Sequence, residues 1–140
     1  MTHDLYLSLG ANLGNREENL RRALALIDER VGSVYRVSSI METEPVGFHS
    51  EHKFLNLACL VHTMMSPLSC HRELQEIERI MGRSEKTVSS LDGKQHYTDR
   101  IIDIDILTYD DLVLETPELT IPHPRMTERD FVMVPLREIM

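Results

Sequence analysis

The sequence lacks several features that mark whole classes of protein. It has only two cysteines, no apolar run of about 18 residues, and a formal net charge of −8. Two cysteines without a repeated spacing predict reduced thiols and not a disulfide framework. No basic segment precedes a long apolar stretch near Met1, so we expect neither a signal peptide nor a membrane span. The acidic balance argues against nucleic-acid binding, which needs a basic surface. These absences together predict a cytoplasmic protein.

The composition that is present is that of an ordinary globular domain. The hydrophobic content is 41% and the charged content is 27%, which are ordinary values, so we expect residues 1–140 to form a single domain. Twelve of the fifteen basic residues are arginine. Arginine binds phosphate groups in a bidentate manner, so the bias fits phosphate recognition, although a compositional preference of the genome would produce it too.

The most informative stretch is RIIDIDIL, residues 100–107. Its alternation predicts a strand with isoleucines on one face and Asp103 and Asp105 on the other, about 7 Å apart. Two adjacent carboxylates are costly to desolvate without a positive partner. Mg²⁺ fits, because it is commonly bound by one or two carboxylates together with substrate phosphates. The alternatives are arginines that neutralise the pair, or a face that is open to water.

The periodicity of the whole chain predicts an α+β fold. Strands are expected at 5–9, 34–41, 54–62 and 100–107, with helices that begin after Asn15 and Ser66, a short strand at 112–114 and a short helix after Pro135. This order is that of a ferredoxin-like βαββαβ sandwich, with helices packed on one face of an antiparallel sheet and the active site on the other. We expect the aspartate strand to be central in that sheet, beside the first and third strands.

Two loops deserve separate interpretations. Gly10–Asn15 could be a phosphate-binding loop, but no Gly-Lys-Ser/Thr follows it, so a tight turn between strand and helix is favoured. The polar stretch 83–99 is long for a loop and leads directly into the aspartate strand, which favours a lid over a spacer.

Further along, His123 is flanked by two prolines and is followed by Arg125 and Arg129, an arrangement suited to phosphate binding.

Six segments in a fixed order resemble the 6-hydroxymethyl-7,8-dihydropterin pyrophosphokinase family. They are YLSLGANLGNREENL, TEPVG, FLNLA, ERIMGR, RIIDIDIL and IPHPRMTERDFVMVPLREI. Each is weakly specific alone, but the ordered set is highly specific, above all the aspartate strand followed by Pro-His-Pro-Arg-Met and Arg129. The chain departs from the family at Tyr97-Thr-Asp-Arg100, where the family commonly has Trp-Gly-Pro-Arg; Tyr97 could stack in place of the tryptophan. Several relatives also continue beyond the position of Met140.

The resemblance implies transfer of diphosphate from ATP to the hydroxymethyl oxygen of 6-hydroxymethyl-7,8-dihydropterin, with release of AMP, in folate biosynthesis. It implies Mg²⁺ as the cofactor, with two ions at Asp103 and Asp105, and ATP and the pterin as partners of a monomer or weak homodimer. The implied catalytic residues are Asp103, Asp105, Arg83 and Arg100. The implied ATP-binding residues are Gln75, Glu78, Arg83, Arg100, Ile106, His123 and Arg129. The implied pterin-binding residues are Thr43, Pro45, Val46, Phe54, Asn56, Asp103 and Phe131.

Two alternative functions stay open on the sequence alone. One is a Mg²⁺-dependent phosphotransferase of the same fold with another acceptor. The other is a non-catalytic ligand-binding domain, since ferredoxin-like folds serve many purposes. The second alternative leaves the aspartate pair unexplained.

Overall fold

The computed structural model describes residues 1–44, 53–82 and 101–140, and the backbone of two short strands between the last two ranges. Its elements in chain order are β1 (His3–Ala11), α1 (Arg16–Arg30), β2 (Ser33–Val37), β3 (Met41–Thr43), β4 (Phe54–Thr63), α2 (Pro67–Ile80), β5 (Val88–Ser89), β6 (Gln95–His96), β7 (Asp103–Tyr109), β8 (Leu114–Glu115), β9 (Thr120–Ile121) and α3 (Asp130–Ile139), with a 3₁₀ turn at Met126–Glu128 before α3. Within the described ranges no helix has the length and apolarity needed to span a membrane.

The main sheet has the order β2–β4–β1–β7, with β3 also paired to β4, and every pairing is antiparallel. The α+β class and the ferredoxin-like arrangement are as predicted. The prediction of a central aspartate strand is wrong, because β7 pairs with β1 at one end of the described sheet. The reason is topological: β1 and β4 fill the middle of a split βαβ arrangement, so the last strand is added outside β1.

The larger core lies between the sheet and the helices α1 and α2. Alternate residues of β1, β4 and β7 point to this side, as the two-residue period of a strand requires. The buried strand residues are Leu5, Leu7, Leu9, Leu55, Leu57, Cys59, Val61, Ile104 and Ile106, and they pack on Leu20, Ala23, Ile27, Leu74 and Ile77 of the helices. Burial raises the pKa of the Cys59 thiol to about 12, and both cysteines are free thiols, as predicted.

A second, smaller core lies on the other face of the sheet, beneath α3. Ala58, Leu60 and Leu107 pack there against apolar residues of the helix. The sequence places the start of this helix after Pro135, and that prediction is wrong, since α3 begins at Asp130 and contains the proline. A proline inside a helix loses one backbone hydrogen bond, and here its ring is buried. The face opposite α1 and α2 is therefore partly covered, and the uncovered part holds the candidate site.

The ends of the elements show which local signals are reliable. Asn15 caps α1 by accepting from the Glu18 N–H, and Ser66 caps α2 by accepting from the Ser69 N–H, both as predicted. Gly10 lies inside β1 and not in the following turn, which is formed around Gly14 at φ +67°. The predicted strand 34–41 is divided into β2 and β3.

Two predictions concern the second half of the chain. The short strand predicted at 112–114 is β8, Leu114–Glu115, which pairs with β9. Most of the proposed lid at 83–99 lies outside the described residues. Within it, β5 and β6 form an antiparallel pair, with Val88 opposite His96.

Candidate active site

The two aspartates share the sheet face opposite α1 and α2. Ile104, between them, points into the helix-side core, so Asp103 and Asp105 point to the other side. Both are half-buried. Their partners across the strand pair are small: Asp103 lies opposite Gly10 and Asp105 lies opposite Ser8. The predicted shared face is therefore present, and the small partners leave room above the carboxylates.

The row of side chains that starts at Asp103 continues across the sheet to an amide. Gly10 lies opposite Asp103 on one side and opposite Asn56 on the other. Asn56 is buried, and its Nδ2 donates to Thr43 Oγ1 at 2.7 Å and to the Met41 carbonyl oxygen at 3.4 Å. Because the amide nitrogen is used in this way, the carbonyl oxygen Oδ1 is turned toward the glycine.

Gly10 has no side chain and therefore leaves the space between Asp103 and Asn56 open. A Cβ atom built on it would lie 3.1 Å from Asn56 Oδ1 and 3.5 Å from Phe54 Cδ1. A methyl group there would therefore press on the Asn56 oxygen, whereas its distance to the Phe54 ring is that of an ordinary van der Waals contact. The structure brings Phe54, Asn56 and Thr43 of the predicted pterin set together with Asp103, around a backbone without a side chain.

Phe131, the second predicted aromatic residue, lies in the first turn of α3 on the same face of the sheet. It packs against the smaller core beneath that helix. The Cζ atom of Arg129 lies over its ring, 5.6 Å from the centroid, a cation–π contact. Arg129, predicted to bind phosphate, and Phe131, predicted to bind the pterin, are therefore neighbours.

His123 is attached to the aspartate strand through its backbone. In the pairing of β1 with β7, Tyr6 lies opposite Thr108 and Leu7 lies opposite Ile106, so Leu107 is an extra residue that forms a bulge. The His123 N–H donates to the Leu107 carbonyl oxygen at 2.9 Å. The bulge thus brings the segment with His123 beside the strand that carries the aspartates.

The three remaining described residues of the predicted ATP set lie on α2 and β7. Gln75 is exposed, whereas Glu78 is 5% exposed and accepts from the Ile104 N–H at 2.9 Å. The Ile106 side chain is buried in the helix-side core, on the face opposite the aspartates. A contact between Ile106 and adenine would therefore involve its backbone. Arg83, Arg100, Pro45 and Val46, and also Tyr97, lie outside the described residues.

The donor set of the site suits Mg²⁺ better than a metal held by protein ligands alone. In residues 1–44, 53–82 and 101–140, no group of three or more His, Cys, Asp or Glu side chains could hold an ion. Zinc sites need three or four such ligands. Mg²⁺ usually keeps water ligands and is bound by one or two carboxylates plus phosphates. Asp103 and Asp105 match this second pattern.

The sequence interpretation missed two residues of the site, Gly10 and Ser8. The sequence predicts Gly10 in a turn, and it predicts no role for Ser8 beyond its place in the strand 5–9. The signal that could have identified them is their small size, since Ser8 and Gly10 alternate with the larger Leu7 and Leu9. Their register against the aspartates depends on pairing between distant strands, and a local pattern does not specify it.

Comparison with known proteins identifies the family of this chain. The profile of the family described as 7,8-dihydro-6-hydroxymethylpterin-pyrophosphokinase (HPPK) matches residues 6–140. A Porphyromonas gingivalis protein named 2-amino-4-hydroxy-6-hydroxymethyldihydropteridine pyrophosphokinase is 42% identical over 136 residues, which cover 96% of this chain and 89% of the relative. A Bacillus subtilis protein of the same name is 39% identical over 140 residues, which cover 99% of this chain and 79% of the relative.

Solved structures support the fold. A Plasmodium falciparum HPPK-DHPS structure superimposes with a TM-score of 0.77 at 20% identity, and covers 99% of this chain. This chain spans 42% of the length of that solved chain. Such distant identity bears on the fold alone, whereas the family profile and the curated relatives bear on the activity. This chain belongs to the 7,8-dihydro-6-hydroxymethylpterin-pyrophosphokinase family and is an ATP-dependent diphosphotransferase of folate synthesis.

Proposed function

We propose that this chain transfers diphosphate from ATP to the hydroxymethyl oxygen of 6-hydroxymethyl-7,8-dihydropterin and releases AMP. The observation that carries the proposal is the row Asp103–Gly10–Asn56 across three adjacent strands. Neighbouring strands lie about 4.8 Å apart, so the row extends over about 10 Å. That length accommodates a flat bicyclic ring, with its ring edge at the amide and its hydroxymethyl arm at the carboxylates.

The proposed metal ligands are Asp103 and Asp105, and we infer two Mg²⁺ ions. The support is that both carboxylates lie half-buried on one face, opposite residues too small to fill the space. When bound, Mg²⁺ neutralises triphosphate charge and orients the acceptor oxygen. The two carboxylates hold the ions in place and are themselves held by a strand, which is a more rigid support than a loop.

The proposed pterin contacts are Asn56, Thr43, Phe54 and Phe131, with Asp103 at the arm. The Asn56 amide nitrogen donates to Thr43 Oγ1, so Asn56 Oδ1 is available to accept from an N–H group of the pterin edge. Phe54 and Phe131 would stack on the ring, worth about 1 kcal/mol for each face beyond burial. Pro45 and Val46 complete the proposed set, since they follow Thr43 closely in the chain.

The proposed phosphate contacts are Arg83, Arg100, His123 and Arg129. In the transfer step, the hydroxymethyl oxygen forms a bond to the β-phosphorus, and the bond from this phosphorus to the oxygen shared with the α-phosphate breaks. AMP leaves with that oxygen, and the hydroxyl proton passes to solvent. Cationic side chains stabilise charge on the transferred group, so no covalent enzyme intermediate is needed. Gln75, Glu78 and Ile106 are proposed to lie near the nucleotide.

The unit that carries out this reaction is proposed to be residues 1–140 as one domain, working as a monomer or weak homodimer. The match of the family profile to residues 6–140 supports the first part. Sedimentation at assay concentrations tests the second part, and a stable higher oligomer would contradict it.

The decisive experiment replaces Asp105 by asparagine, which preserves shape and removes the charge. We expect the rate of AMP formation to fall at least about a thousandfold, which corresponds to about 4 kcal/mol of transition-state stabilisation. Asp111→Asn is the matched control, because Asp111 is exposed in the turn after β7, and its rate should equal that of the wild type. Circular dichroism should show both variants folded.

Two outcomes would contradict the proposal. One is an unchanged rate of AMP formation by folded Asp105→Asn. The other is a wild-type chain that forms AMP with a different acceptor but not with the hydroxymethyl pterin, which would indicate another phosphotransferase. Chromatographic separation of AMP, ADP and the pterin product distinguishes these results.

A further inference from the structure

The feature that the reaction does not yet explain is a buried carboxylate. Among the described residues, Glu78 is the only acidic or basic side chain that is buried, with 5% of its surface exposed. It lies on the face of α2 that packs against the sheet, together with Leu74 and Ile77. Removing a carboxylate from water costs several kcal/mol unless hydrogen bonds replace its hydration. A neutral side chain would fill this position without that cost, so the contacts of the carboxylate need an explanation.

One contact of this carboxylate is with the aspartate strand. The Ile104 N–H donates to Glu78 Oε2 at 2.9 Å. Ile104 lies between Asp103 and Asp105, and the N–H groups of successive strand residues point to opposite edges. The Ile104 N–H therefore points away from β1, to the side where β7 has no neighbouring strand in the described part of the chain. Glu78 takes the place of a strand partner at this point.

We propose that Glu78 is a positioning residue, which fixes the backbone between Asp103 and Asp105 and thereby the separation of their carboxylates. The inference rests on the proposed function, because Mg²⁺ and triphosphate give that separation its purpose. A hydrogen bond from a backbone N–H to a carboxylate is about twice as strong as one between neutral groups. A strand at the end of a sheet needs such a partner more than a central strand, which is held from both sides.

The experiment compares two substitutions that differ in what they leave at the Ile104 N–H. Glu78→Leu removes the acceptor, and Glu78→Gln keeps a neutral acceptor of the same shape. The matched control is Glu76→Leu on the same helix, because the Glu76 side chain is 39% exposed and pairs with Arg79 of α2. For each chain, NMR records the Ile104 amide resonance and its hydrogen exchange, without substrates. Calorimetry measures binding of a non-hydrolysable ATP analogue with Mg²⁺, and turnover is followed against Mg²⁺ concentration.

The expected result is a graded loss. In Glu78→Leu the Ile104 amide proton should shift upfield and exchange at least about tenfold faster, because its hydrogen bond is gone. The Mg²⁺ concentration for half-maximal turnover should rise about tenfold, as for other supports of metal ligands, while the KM for the pterin stays unchanged. Glu78→Gln should change both quantities in the same direction by about two- to threefold. Glu76→Leu should match the wild type.

A direct contact between Glu78 and ATP, which the family resemblance implies, predicts a different pattern. Both Glu78 variants would then weaken binding of the ATP analogue equally, with the Ile104 resonance and the Mg²⁺ dependence unchanged, and that result would overturn the proposal. If Glu78→Leu does not fold, Glu78→Gln decides alone: an Ile104 resonance at the wild-type position would overturn the proposal. A wild-type chain that forms no AMP would refute the proposed function instead, and the amide measurement would still report on Glu78.

Discussion

The substitution Gly10→Ala tests the geometry of the proposed pterin site most directly. The new methyl group would lie 3.1 Å from Asn56 Oδ1 and 3.5 Å from Phe54 Cδ1. The first distance is shorter than an ordinary contact, so the amide must move by a few tenths of an ångström. Asn56 resists this movement because its Nδ2 donates to Thr43 Oγ1 at 2.7 Å. The methyl group also occupies the space that the pterin ring would need.

The magnitude follows from the interactions that the methyl group disturbs. The misplaced Asn56 oxygen would lose about 1 kcal/mol in its bond to the pterin. The displaced ring would lose about 1 kcal/mol of stacking on Phe54. Together these give about 2 kcal/mol, or a roughly 30-fold weaker affinity for the pterin. The crowding itself should lower the free energy of unfolding by about 1–3 kcal/mol. The affinity for ATP should fall less than the affinity for the pterin, because the atoms nearest to the methyl group belong to Asn56 and Phe54.

The assay is calorimetric titration of the pterin into the chain with Mg²⁺ and a non-hydrolysable ATP analogue. The matched control is Thr63→Val, a destabilising change at the opposite end of β4, which should leave the affinity for the pterin unchanged. It separates loss of stability from loss of the site. A Gly10→Ala chain that binds the pterin within about twofold of the wild-type affinity would refute the proposal that the ring lies on the row Asp103–Gly10–Asn56.

Two further predictions concern stability. Thr63→Val should lower the free energy of unfolding in urea by about 1–3 kcal/mol, because the buried Val31 carbonyl oxygen loses the hydroxyl that donates to it at 2.6 Å. Thr63→Ser keeps the hydroxyl and loses only a buried methyl group, so it should cost about 1 kcal/mol. A Thr63→Ser loss as large as that of Thr63→Val would contradict the explanation. The backbone N–H of Asp4, and then the side chain of His3, hold the pKa of Asp110 below its usual range. That stabilisation is present above the unfolded pKa of about 3.9 and is lost as pH falls through the lower folded pKa. Asp110→Asn should therefore lower the melting temperature at pH 7 but not at the acidic end of a pH series. A difference in melting temperature that stays constant across the series would contradict this explanation.

The parts of the fold that could be predicted are those set by neighbours in the sequence. Alternation in RIIDIDIL correctly separates Asp103 and Asp105 from the isoleucines, because the side-chain period of a strand is local. Asn15 and Ser66 were identified as helix caps because a cap depends on the next three residues. The position of β7 in the sheet was predicted wrongly, since it depends on which distant strand pairs with which.

The candidate site was predictable to the same extent. The sequence motifs gave Asp103, Asn56 and Phe54 as candidates, and the structure places them around a glycine that the motifs did not include. The sequence predicts a turn at Gly10–Asn15 because no Gly-Lys-Ser/Thr follows, whereas Gly10 lies in β1 and leaves space beside Asn56. Glu78 carried a signal that is visible in the sequence: it follows Leu74 by four residues, which places a charged side chain on the apolar face of α2.

The position of β7 at the end of the described sheet has a consequence for how the site is held. An outer strand leaves backbone groups that need partners, and two of them find partners beyond the sheet. The Ile104 N–H donates to Glu78 of α2, and the Leu107 carbonyl oxygen accepts from the His123 N–H. Both partners belong to the predicted ATP-binding set, and each is thereby fixed relative to the two aspartates. The side of β7 that faces away from β1 therefore connects the strand of the proposed metal ligands to α2 and to the segment that contains His123.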